Sequence, residues 1–539
     1  MDERSEIKAC IVCGQEATSV CSNCKNAAYC SKEHQKSDWK NHKTCCFPFE
    51  VKKNDDLGRH MVATRDIPSD SLIFSELPIV YGPKIVNPEP QCLGCYSPLD
   101  LDTSVYCPGC HWPVCSPLCL GLSDQQHHFP ECAVLSKNTE IMGRRQFNYE
   151  AITPLRCLIL QKRNKRKWGE FISMQSHMDK RGPNSEVYKE LDERIVKYII
   201  ENFMAILDPG IPPATSSEII HQICGVLEVN GLEVTAGRND ILALYPKACL
   251  MEHSCLPNTK HTFQPIDFKI KMYSSIEIKC GAHISTMYTH ALWGTVARRE
   301  HLKETKYFNC KCERCADPTE LGTNLSSLRC IGVKGDINEA CGGTILPLKP
   351  LDDNTEWKCN RCPVVLSSGE AADLTARLGQ QVDLELEDPN VEKSEELLRG
   401  LETFLHTSHY HCYMVKHSLI QLYGREDGYS HDRLSDERLN KKIAMCEELL
   451  QITQTLDQGK SRLLLYLAVI NYEFHSALVE LSRRTDNKDS KLSLLKKSIN
   501  MLQNNVSLLS TEQQYSAGSD LLNISNVALN NVRNIIESI

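Results

Sequence analysis

The sequence has neither a long apolar run nor an excess of positive charge. Its longest uninterrupted apolar stretch, Leu463–Ile470, has eight residues, whereas a helix that spans a membrane needs about 20. The formal net charge is −8 and the isoelectric point is about 6.2, so direct sequence-specific binding to nucleic acid is not expected. No secretory leader is recognisable at the N-terminus. These absences predict a soluble protein without a membrane partner.

The scattered cysteines of a secreted disulfide scaffold are also absent. The 539 residues include 28 cysteines, and twelve of them stand in six C-x-x-C pairs, mixed with histidines and further cysteines. This spacing is typical of zinc sites, and therefore of a reducing compartment. We expect a cytoplasmic or nuclear protein, and the length suggests roughly three to five domains.

Residues 1–48 contain two C-x-x-C pairs followed by two pairs of ligands four residues apart. On a helix, a spacing of four places both side chains on one face, where they can share an ion. Eight ligands therefore predict two closed zinc sites. The ligand residues are Cys10, Cys13, Cys21, Cys24, Cys30, His34, His42 and Cys46.

The same order of ligands returns between residues 91 and 133, which indicates an internal repeat with two further zinc sites. His127 is an alternative to His128 as a ligand. The ligand residues of this second segment are Cys92, Cys95, Cys107, Cys110, Cys115, Cys119, His128 and Cys132.

Two more sets of four cysteines follow. One cysteine precedes a C-x-C-x-x-C run that lacks a fourth thiolate, so the simplest completion is a tetrahedral site. This set is Cys255, Cys310, Cys312 and Cys315. The other set predicts a small zinc ribbon within residues 319–368, and its members are Cys330, Cys341, Cys359 and Cys362.

Hydrophobic periodicity separates β-rich from helical segments. Residues 49–90 and 226–318 are β-rich, and the strands predicted in the second segment are Leu232–Val234, Phe268–Tyr273 and Ile284–Tyr288. Residues 134–225 and 369–539 are predicted to be helical, because apolar residues recur at intervals of three and four. The later amphipathic stretches run over 436–456, 461–483, 491–510 and 513–536.

The basic run KRNKRK, Lys162 to Lys167, has three interpretations. It is the solvated end of a helix, a localisation signal, or a contact for acidic chromatin.

The run MEHSCLPN, Met251 to Asn258, followed by Tyr288 and by CKCERC, resembles the SET domain of protein lysine methyltransferases. Within that class it resembles the SET and MYND domain (SMYD) family. Both N-terminal cysteine-rich segments resemble MYND zinc fingers, the first of them through its tail YCSKEHQKSDWKNHKTCC. An additional finger at the N-terminus is similar to the arthropod-type branch of the family.

The resemblance implies an α+β fold around a β-rich SET domain in two halves, residues 49–90 and residues 226–318, the latter with a zinc-binding post-SET segment. A MYND finger at 91–133 and a helical insertion at 134–225 separate the halves. A further finger at 1–48 precedes them. After the possible zinc ribbon, an all-α tetratricopeptide-like domain at 369–539 serves as a structural cap or as a peptide groove.

The resemblance also implies how the finger ligands share their ions. In the N-terminal finger the sets are Cys10, Cys13, Cys30 and His34, and Cys21, Cys24, His42 and Cys46. In the inserted finger they are Cys92, Cys95, Cys115 and Cys119, and Cys107, Cys110, His128 and Cys132.

The implied active site has Tyr288 as its catalytic tyrosine. The residues implied to contact S-adenosylmethionine are Gly58, Arg59, His60, Asn230, Glu252, His253 and Phe308. Two of them depart from the family pattern, because Glu252 stands where the family has Asn and His60 stands near a second glycine. The alternative for Leu57 to Arg59 is an ordinary hairpin turn.

The implied function is methyl transfer from S-adenosylmethionine to a lysine of a histone or non-histone protein. A free lysine amine has a pKa of about 10.4, so the enzyme must desolvate and align it before it reacts. The alternative is a catalytically weak or inactive SET protein that acts as an adaptor in transcription regulation. Its MYND fingers then bind proline-rich peptides or corepressor proteins.

Overall fold

The computed structural model describes residues 9–21, 27–124, 128–138, 147–334, 339–510 and 517–539. The chain divides into two compact units. The first unit contains residues 1–252, 259–285 and 305–307, and the second contains residues 253–258, 286–304 and 308–539. Among the helices of the described ranges, none combines the length and the apolar character that crossing a membrane requires.

Each cysteine-rich segment of the first unit combines a small antiparallel pair of strands with one helix. In the N-terminal segment, strands Ser19–Val20 and Ala28–Tyr29 precede helix Lys32–Cys45, which Ser31 caps by accepting a hydrogen bond from the His34 amide. Serine at this position satisfies an amide that the helix leaves unpaired. The inserted segment has strands Val105–Tyr106 and Pro113–Val114, a 3₁₀ turn Leu120–Ser123 and helix His128–Leu135.

The β part of the first unit consists of three small antiparallel sheets. Strands Phe49–Asn54 and Gly58–Ala63 form a hairpin. A second sheet has the order Thr259–Phe263, Ile270–Ser274, Leu72–Glu76, and a third has the order Val80–Pro83, Asn239–Leu244, Leu232–Ala236. Side chains along Ile270–Ser274 alternate between buried and partly exposed, as expected for a strand with one face on a core.

Two predicted strands are shorter in the structure. The strand predicted from Phe268 begins at Ile270, because Phe268 has a φ of 51° and its amide closes a turn onto the Gln264 carbonyl. The strand predicted from Ile284 to Tyr288 is limited to Ser285–Thr286. It ends there because the Tyr288 amide donates to a histidine side chain rather than to a neighbouring strand.

The helical insertion of the first unit is built from short helices and one long one. Its helices are Ile152–Arg163, Lys165–Ile172, Glu186–Leu191, Lys197–Ile199, Ala205–Leu207 and Pro213–Asn230, with a 3₁₀ turn at Tyr149–Ala151 and π-helical turns at Asp192–Val196 and Ile200–Met204. The predicted boundary at residue 225 falls inside the long helix, because its apolar face continues through the buried Val226 and Leu227. The basic run at 162–167 spans the end of one helix and the beginning of the next.

The second unit contains a four-stranded ribbon and a helical region. The ribbon has the order Leu328–Arg329, Thr344–Pro347, Trp357–Cys359, Val365–Leu366, with a separate pair Val333–Lys334 and Glu339–Ala340. Helices Thr295–Thr305 and Glu313–Ala316 precede it, the first of them extending one residue into the first unit. The short strands Glu252–His253 and Ser285–Thr286 lie where the chain passes from one unit to the other.

Seven helices complete the second unit. Their bounds are Ser368–Glu387, Val391–Phe404, Tyr410–Leu422, Asp436–Leu456, Leu464–Arg483, Lys488–Leu509 and Ala517–Glu537. Ser367 and Glu370 form a reciprocal capping box at the first of them, which pairs two amides that would otherwise lack acceptors. The mixed α and β architecture with a helical C-terminal region confirms the predicted fold class.

Candidate functional site

The first ligand set of the N-terminal finger is assembled. The ligand atoms of Cys10, Cys13, Cys30 and His34 lie within 4.8 Å of one another, and His34 Nδ1 lies 3.1 Å from the Cys30 sulfur. Four donors at this separation suit a tetrahedral zinc ion. In the second set, Cys24 lies outside the described residues, while the Cys21 and Cys46 sulfurs are 3.9 Å apart and His42 is buried.

The inserted finger brings both of its ligand sets together. Each set of four has its ligand atoms within 4.8 Å of one another, one of them Cys92, Cys95, Cys115 and Cys119 and the other Cys107, Cys110, His128 and Cys132. His128 Nε2 lies 3.3 Å from the Cys110 sulfur. His127, the alternative ligand, lies outside the described residues.

Sequence reasoning missed the groups that orient His128. Its Nδ1 lies 2.9 Å from Glu131 Oε1, and Arg156 donates to both oxygens of that carboxylate at 2.6 and 2.8 Å. Burial alone would raise the pKa of Glu131, but the Arg156 charge and the hydrogen bonds from Arg156 and His128 together lower that pKa. A buried carboxylate on the outer nitrogen fixes the tautomer of a metal-binding histidine. The H-x-x-E spacing on the helix was the available signal.

The ribbon cysteines also converge. The ligand atoms of Cys330, Cys341, Cys359 and Cys362 lie within 4.8 Å of one another. The Cys330 and Cys362 sulfurs are 3.4 Å apart, and the Cys341 and Cys359 sulfurs are 3.7 Å apart. The loose sequence spacing is therefore compatible with one closed zinc site.

The set formed by Cys255, Cys310, Cys312 and Cys315 is assembled within the second unit. Its distances include 3.6 Å from the Cys255 sulfur to the Cys315 sulfur. Four thiolates around Zn²⁺ leave a formal charge of −2, which must be compensated in a buried site. Arg298 supplies part of that compensation, because its Nε donates to the Cys255 sulfur at 3.2 Å and its Nη2 to the Cys315 sulfur at 3.5 Å.

Arg298 is itself held in a buried network that sequence reasoning missed. Glu320 Oε2 accepts hydrogen bonds from Arg298 at 2.7 Å and from Arg314 at 3.0 Å, and Glu320 Oε1 accepts from the Thr295 amide and the Ser326 hydroxyl. Burial alone would raise the pKa of Glu320, but the two guanidinium charges lower it to about 2. The three charged side chains are almost fully buried. Their contacts depend on the tertiary fold, so no local sequence pattern predicts them.

His253 links this cysteine cluster to Tyr288. Its Nδ1 accepts a hydrogen bond from the Tyr288 amide at 3.0 Å, and its Nε2 lies 3.2 Å from the Cys255 sulfur. An acceptor at Nδ1 requires the proton to reside on Nε2, which then donates to the thiolate. Burial, together with the Arg298 and Arg462 charges, lowers the pKa of His253 to about 4, so the imidazole is neutral at physiological pH. Its ring centroid lies 5.3 Å from that of Tyr288 and 5.9 Å from that of Phe308.

The predicted residues near Gly58 lie in a hairpin of the first unit. Gly58 has a φ of 64°, and a Cβ built there meets no described atom within 4 Å, so the backbone conformation rather than a close contact favours glycine. The Arg59 side chain donates to the Ser173 carbonyl at 3.2 Å. His60 is buried, and its ring stacks on His283 with a centroid distance of 4.9 Å. The hairpin-turn interpretation of this segment therefore describes its local structure.

Glu252 and Asn230 each have partners within the first unit. Glu252 Oε2 lies 2.7 Å from His283 Nδ1, so an imidazole stands beside the carboxylate that departs from the family pattern. The Asn230 side-chain amide donates to the carbonyls of Gln175 and Val226, both at 2.8 Å. Its Oδ1 acceptor is not used by these two bonds.

Comparisons with known proteins agree with these features. The MYND finger family matches residues 10–46. The SET domain-containing protein SmydA-8, isoform B, of Drosophila melanogaster is 27% identical over 423 residues, which cover 75% of this chain and 86% of the relative. The histone-lysine N-methyltransferase ASHR1 of Arabidopsis thaliana is 23% identical over 66% of this chain and 73% of its own.

Two further comparisons are shorter or weaker. The N-lysine methyltransferase SMYD2 of Homo sapiens is 33% identical over 73 residues, which are 14% of this chain and 16% of the relative. A solved SET domain structure of LSMT, bound to lysine and AdoHcy, covers 91% of this chain and 96% of its own with 12% identity and a TM-score of 0.30.

Fold, metal centres and comparisons together define a zinc-binding α+β protein with a MYND finger at its N-terminus. The chain is similar to SET and MYND domain proteins, in agreement with the resemblance seen in the sequence.

Proposed function

We propose that this protein is a protein-lysine N-methyltransferase that uses S-adenosylmethionine, with Tyr288 as the residue that positions the lysine amine. The observation that carries the proposal is the hydrogen bond from the Tyr288 amide to His253, whose other ring nitrogen faces the Cys255 sulfur. A zinc cluster thereby fixes the backbone of the tyrosine. Two of the relatives are named as lysine methyltransferases, and the proposed substrate is a lysine of a histone or non-histone protein.

The cofactor supplies an electrophilic methyl group. The protein must then hold the lysine amine uncharged, because a protonated amine has no lone pair for the attack. We assign to Tyr288 the task of orienting that amine. Because His253 stays neutral above a pH of about 4, the acceptor for the Tyr288 amide persists over the whole physiological range.

Within the first unit, Asn230 and Glu252 have the chemistry to hold the amino-acid portion of the cofactor. Asn230 Oδ1 can accept from an ammonium group, and a carboxylate has several acceptor sites besides the one facing His283. Glu252 with an imidazole partner is less costly to bury than an isolated carboxylate. A glutamate at position 252, where the family has Asn, is therefore compatible with binding a positively charged group of the cofactor.

The Tyr288→Phe variant tests the proposal. We expect methyl incorporation to fall by about 100-fold or more, since a positioned catalytic hydroxyl contributes roughly that much, while S-adenosylmethionine affinity changes by less than about twofold. Methyl incorporation is measured with radiolabelled cofactor, using core histones and a lysine-centred peptide library as substrates. Calorimetry measures the affinity for S-adenosylmethionine. Tyr273→Phe, on a strand of the first unit, is the control. Full activity of Tyr288→Phe would contradict the assignment.

A second candidate function, an adaptor, is favoured by two leucines of the inserted finger. Leu118 and Leu120 are 87% and 90% exposed and flank the ligand Cys119. Large apolar side chains held in the open beside a rigid zinc site are typical of protein-binding surfaces. A proline-rich peptide of a corepressor is the partner that the resemblance to MYND fingers favours.

For the adaptor, we expect Leu118→Asp combined with Leu120→Asp to weaken binding of a proline-rich peptide by at least about tenfold, without changing zinc content. Fluorescence anisotropy with a labelled proline-rich peptide measures the affinity. Ile266→Asp alters an equally exposed side chain, at 89%, elsewhere in the first unit and serves as the control. Equal affinity in the double variant and the control would exclude these leucines from the binding surface.

A further inference from the structure

The loop between helices Asp436–Leu456 and Leu464–Arg483 holds an arginine in a fixed position. Asp457 accepts hydrogen bonds from the amides of Ser461, Arg462 and Leu463 at 2.8, 2.7 and 2.7 Å. A carboxylate that collects three consecutive amides fixes the backbone of such a loop. The Arg462 side chain leaves this loop and donates from Nη2 to the Thr286 hydroxyl.

The guanidinium of Arg462 lacks an anionic partner. Within the described part of the chain it forms no ion pair with a carboxylate inside 4 Å, and its buried Nε atom has no hydrogen-bond acceptor. Burial lowers the pKa of Arg462, although the Asp457 charge acts in the opposite direction. A cation that is shielded from water without a paired anion is energetically costly.

A second unpaired polar group lies beside Tyr288. The hydroxyl of Thr289, the next residue in the chain, is buried and has no partner in the described ranges. Thr286, whose hydroxyl accepts the hydrogen bond from Arg462, precedes Tyr288 by two residues. Buried polar atoms of native proteins are nearly always paired, so these two unpaired atoms are exceptions that need an explanation.

The two unpaired groups lie on segments whose aromatic rings meet, because His290 follows Thr289 in the chain and contacts Tyr466. Tyr466, one turn after Arg462 in the chain, has its ring centroid 4.8 Å from His417 and 6.0 Å from His290. Burial lowers the pKa of His417 to about 4, so this ring adds no charge at neutral pH. The two segments joined by the His290–Tyr466 ring contact therefore offer one positive charge and one unpaired hydroxyl.

We propose that Arg462 binds an aspartate or glutamate side chain of the protein substrate close to the methylated lysine, and that Arg462 is a specificity-determining residue. The Arg462 side chain is only partly buried, and a carboxylate pairs with a guanidinium through charge-assisted hydrogen bonds, the strongest kind available to it. The Thr289 hydroxyl provides a donor for the same segment of substrate. This inference rests on the proposed methyltransferase function.

The test uses lysine-centred peptide libraries in which the flanking positions are either Asp and Glu or Asn and Gln. We expect the full-length protein to show a KM about tenfold lower for the acidic library, at similar kcat. Arg462→Gln is expected to abolish the difference and Arg462→Lys to retain part of it, because lysine keeps the charge but not the planar donor geometry. Arg433→Gln, at an exposed position just before helix Asp436–Leu456, is expected to leave the preference intact.

Peptide binding is measured separately from turnover. Libraries with norleucine in place of lysine cannot be methylated, and their fluorescence anisotropy reports affinity alone. If no library is methylated, the proposed enzyme function fails, whereas the anisotropy still decides whether Arg462 selects acidic peptides. Equal affinity of Arg462→Gln and wild type for both norleucine libraries would overturn the inference, as would a loss confined to S-adenosylmethionine binding.

Discussion

Replacing Cys255 by serine is expected to remove one zinc ion and to unfold the segment that holds Tyr288. Three thiolates remain at Cys310, Cys312 and Cys315, and they no longer close a tetrahedral site. Because structural zinc contributes its binding free energy to folding, the free energy of unfolding should fall by on the order of 5 kcal/mol or more. His253 also loses the thiolate that its Nε2 faces, so methyl transfer should disappear with the metal.

Plasma mass spectrometry measures the zinc content, which should fall from about six to about five ions per chain if each predicted set of four ligands holds one ion. Denaturant unfolding followed by circular dichroism measures the stability. Cys280→Ser removes an exposed thiol outside the six ligand sets and should change neither quantity. An unchanged zinc content in Cys255→Ser would show that this cysteine is not a ligand.

Glu320→Gln is expected to reduce the free energy of unfolding by about 3 to 5 kcal/mol, because it leaves Arg298 and Arg314 buried without their shared carboxylate. The uncompensated Arg298 charge would still face the thiolate cluster, so zinc content is expected to stay unchanged. Denaturant unfolding at neutral pH measures the difference. Glu300→Gln, at an exposed position of the adjacent helix, should lie within about 0.5 kcal/mol of wild type.

The difference in stability between wild type and Glu320→Gln is expected to depend on pH. Glu320 has a pKa of about 2 in the folded protein against an ordinary value of 4.5, so its carboxylate stabilises the fold fully above pH 4.5. That contribution, about 3 kcal/mol for this difference in pKa, is lost as the pH falls from 4.5 towards 2. The stability gap between wild type and Glu320→Gln should therefore narrow below pH 4.5. A gap that is constant down to pH 3 would contradict the buried ion pairing.

Most of the metal-ligand sets could be predicted from the sequence because their ligands are recognisable by local spacing. His128 and Cys132 are four residues apart on helix His128–Leu135, and such proximity needs no knowledge of the tertiary fold, whereas Cys30 precedes the Ser31 cap of the helix that holds His34. Cys255 was placed with Cys310, Cys312 and Cys315 because a C-x-C-x-x-C run needs one further ligand. Helix existence in the C-terminal region was equally predictable, since the apolar period of each helix is internal to it.

Features that depend on distant parts of the chain were not predictable. His283 stands beside Glu252 although 31 positions separate them, and Glu320 accepts a hydrogen bond from Arg298, which lies 22 positions earlier. The end of the strand before Tyr288 is set by a side-chain acceptor, His253, that competes with strand pairing. In each case the deciding interaction is a tertiary hydrogen bond, which residue type and period do not encode.

The division of the chain into two interleaved units has a consequence for biosynthesis. Residues 253–258 belong to the second unit, but their metal partners end at Cys315. At about 5 to 20 residues per second, a ribosome delivers the last partner roughly 3 to 12 s after Cys255. During that interval Cys255 lacks the other three ligands of its zinc site. The yield of correctly metallated protein will therefore depend on the free zinc available when the last ligand has been synthesised.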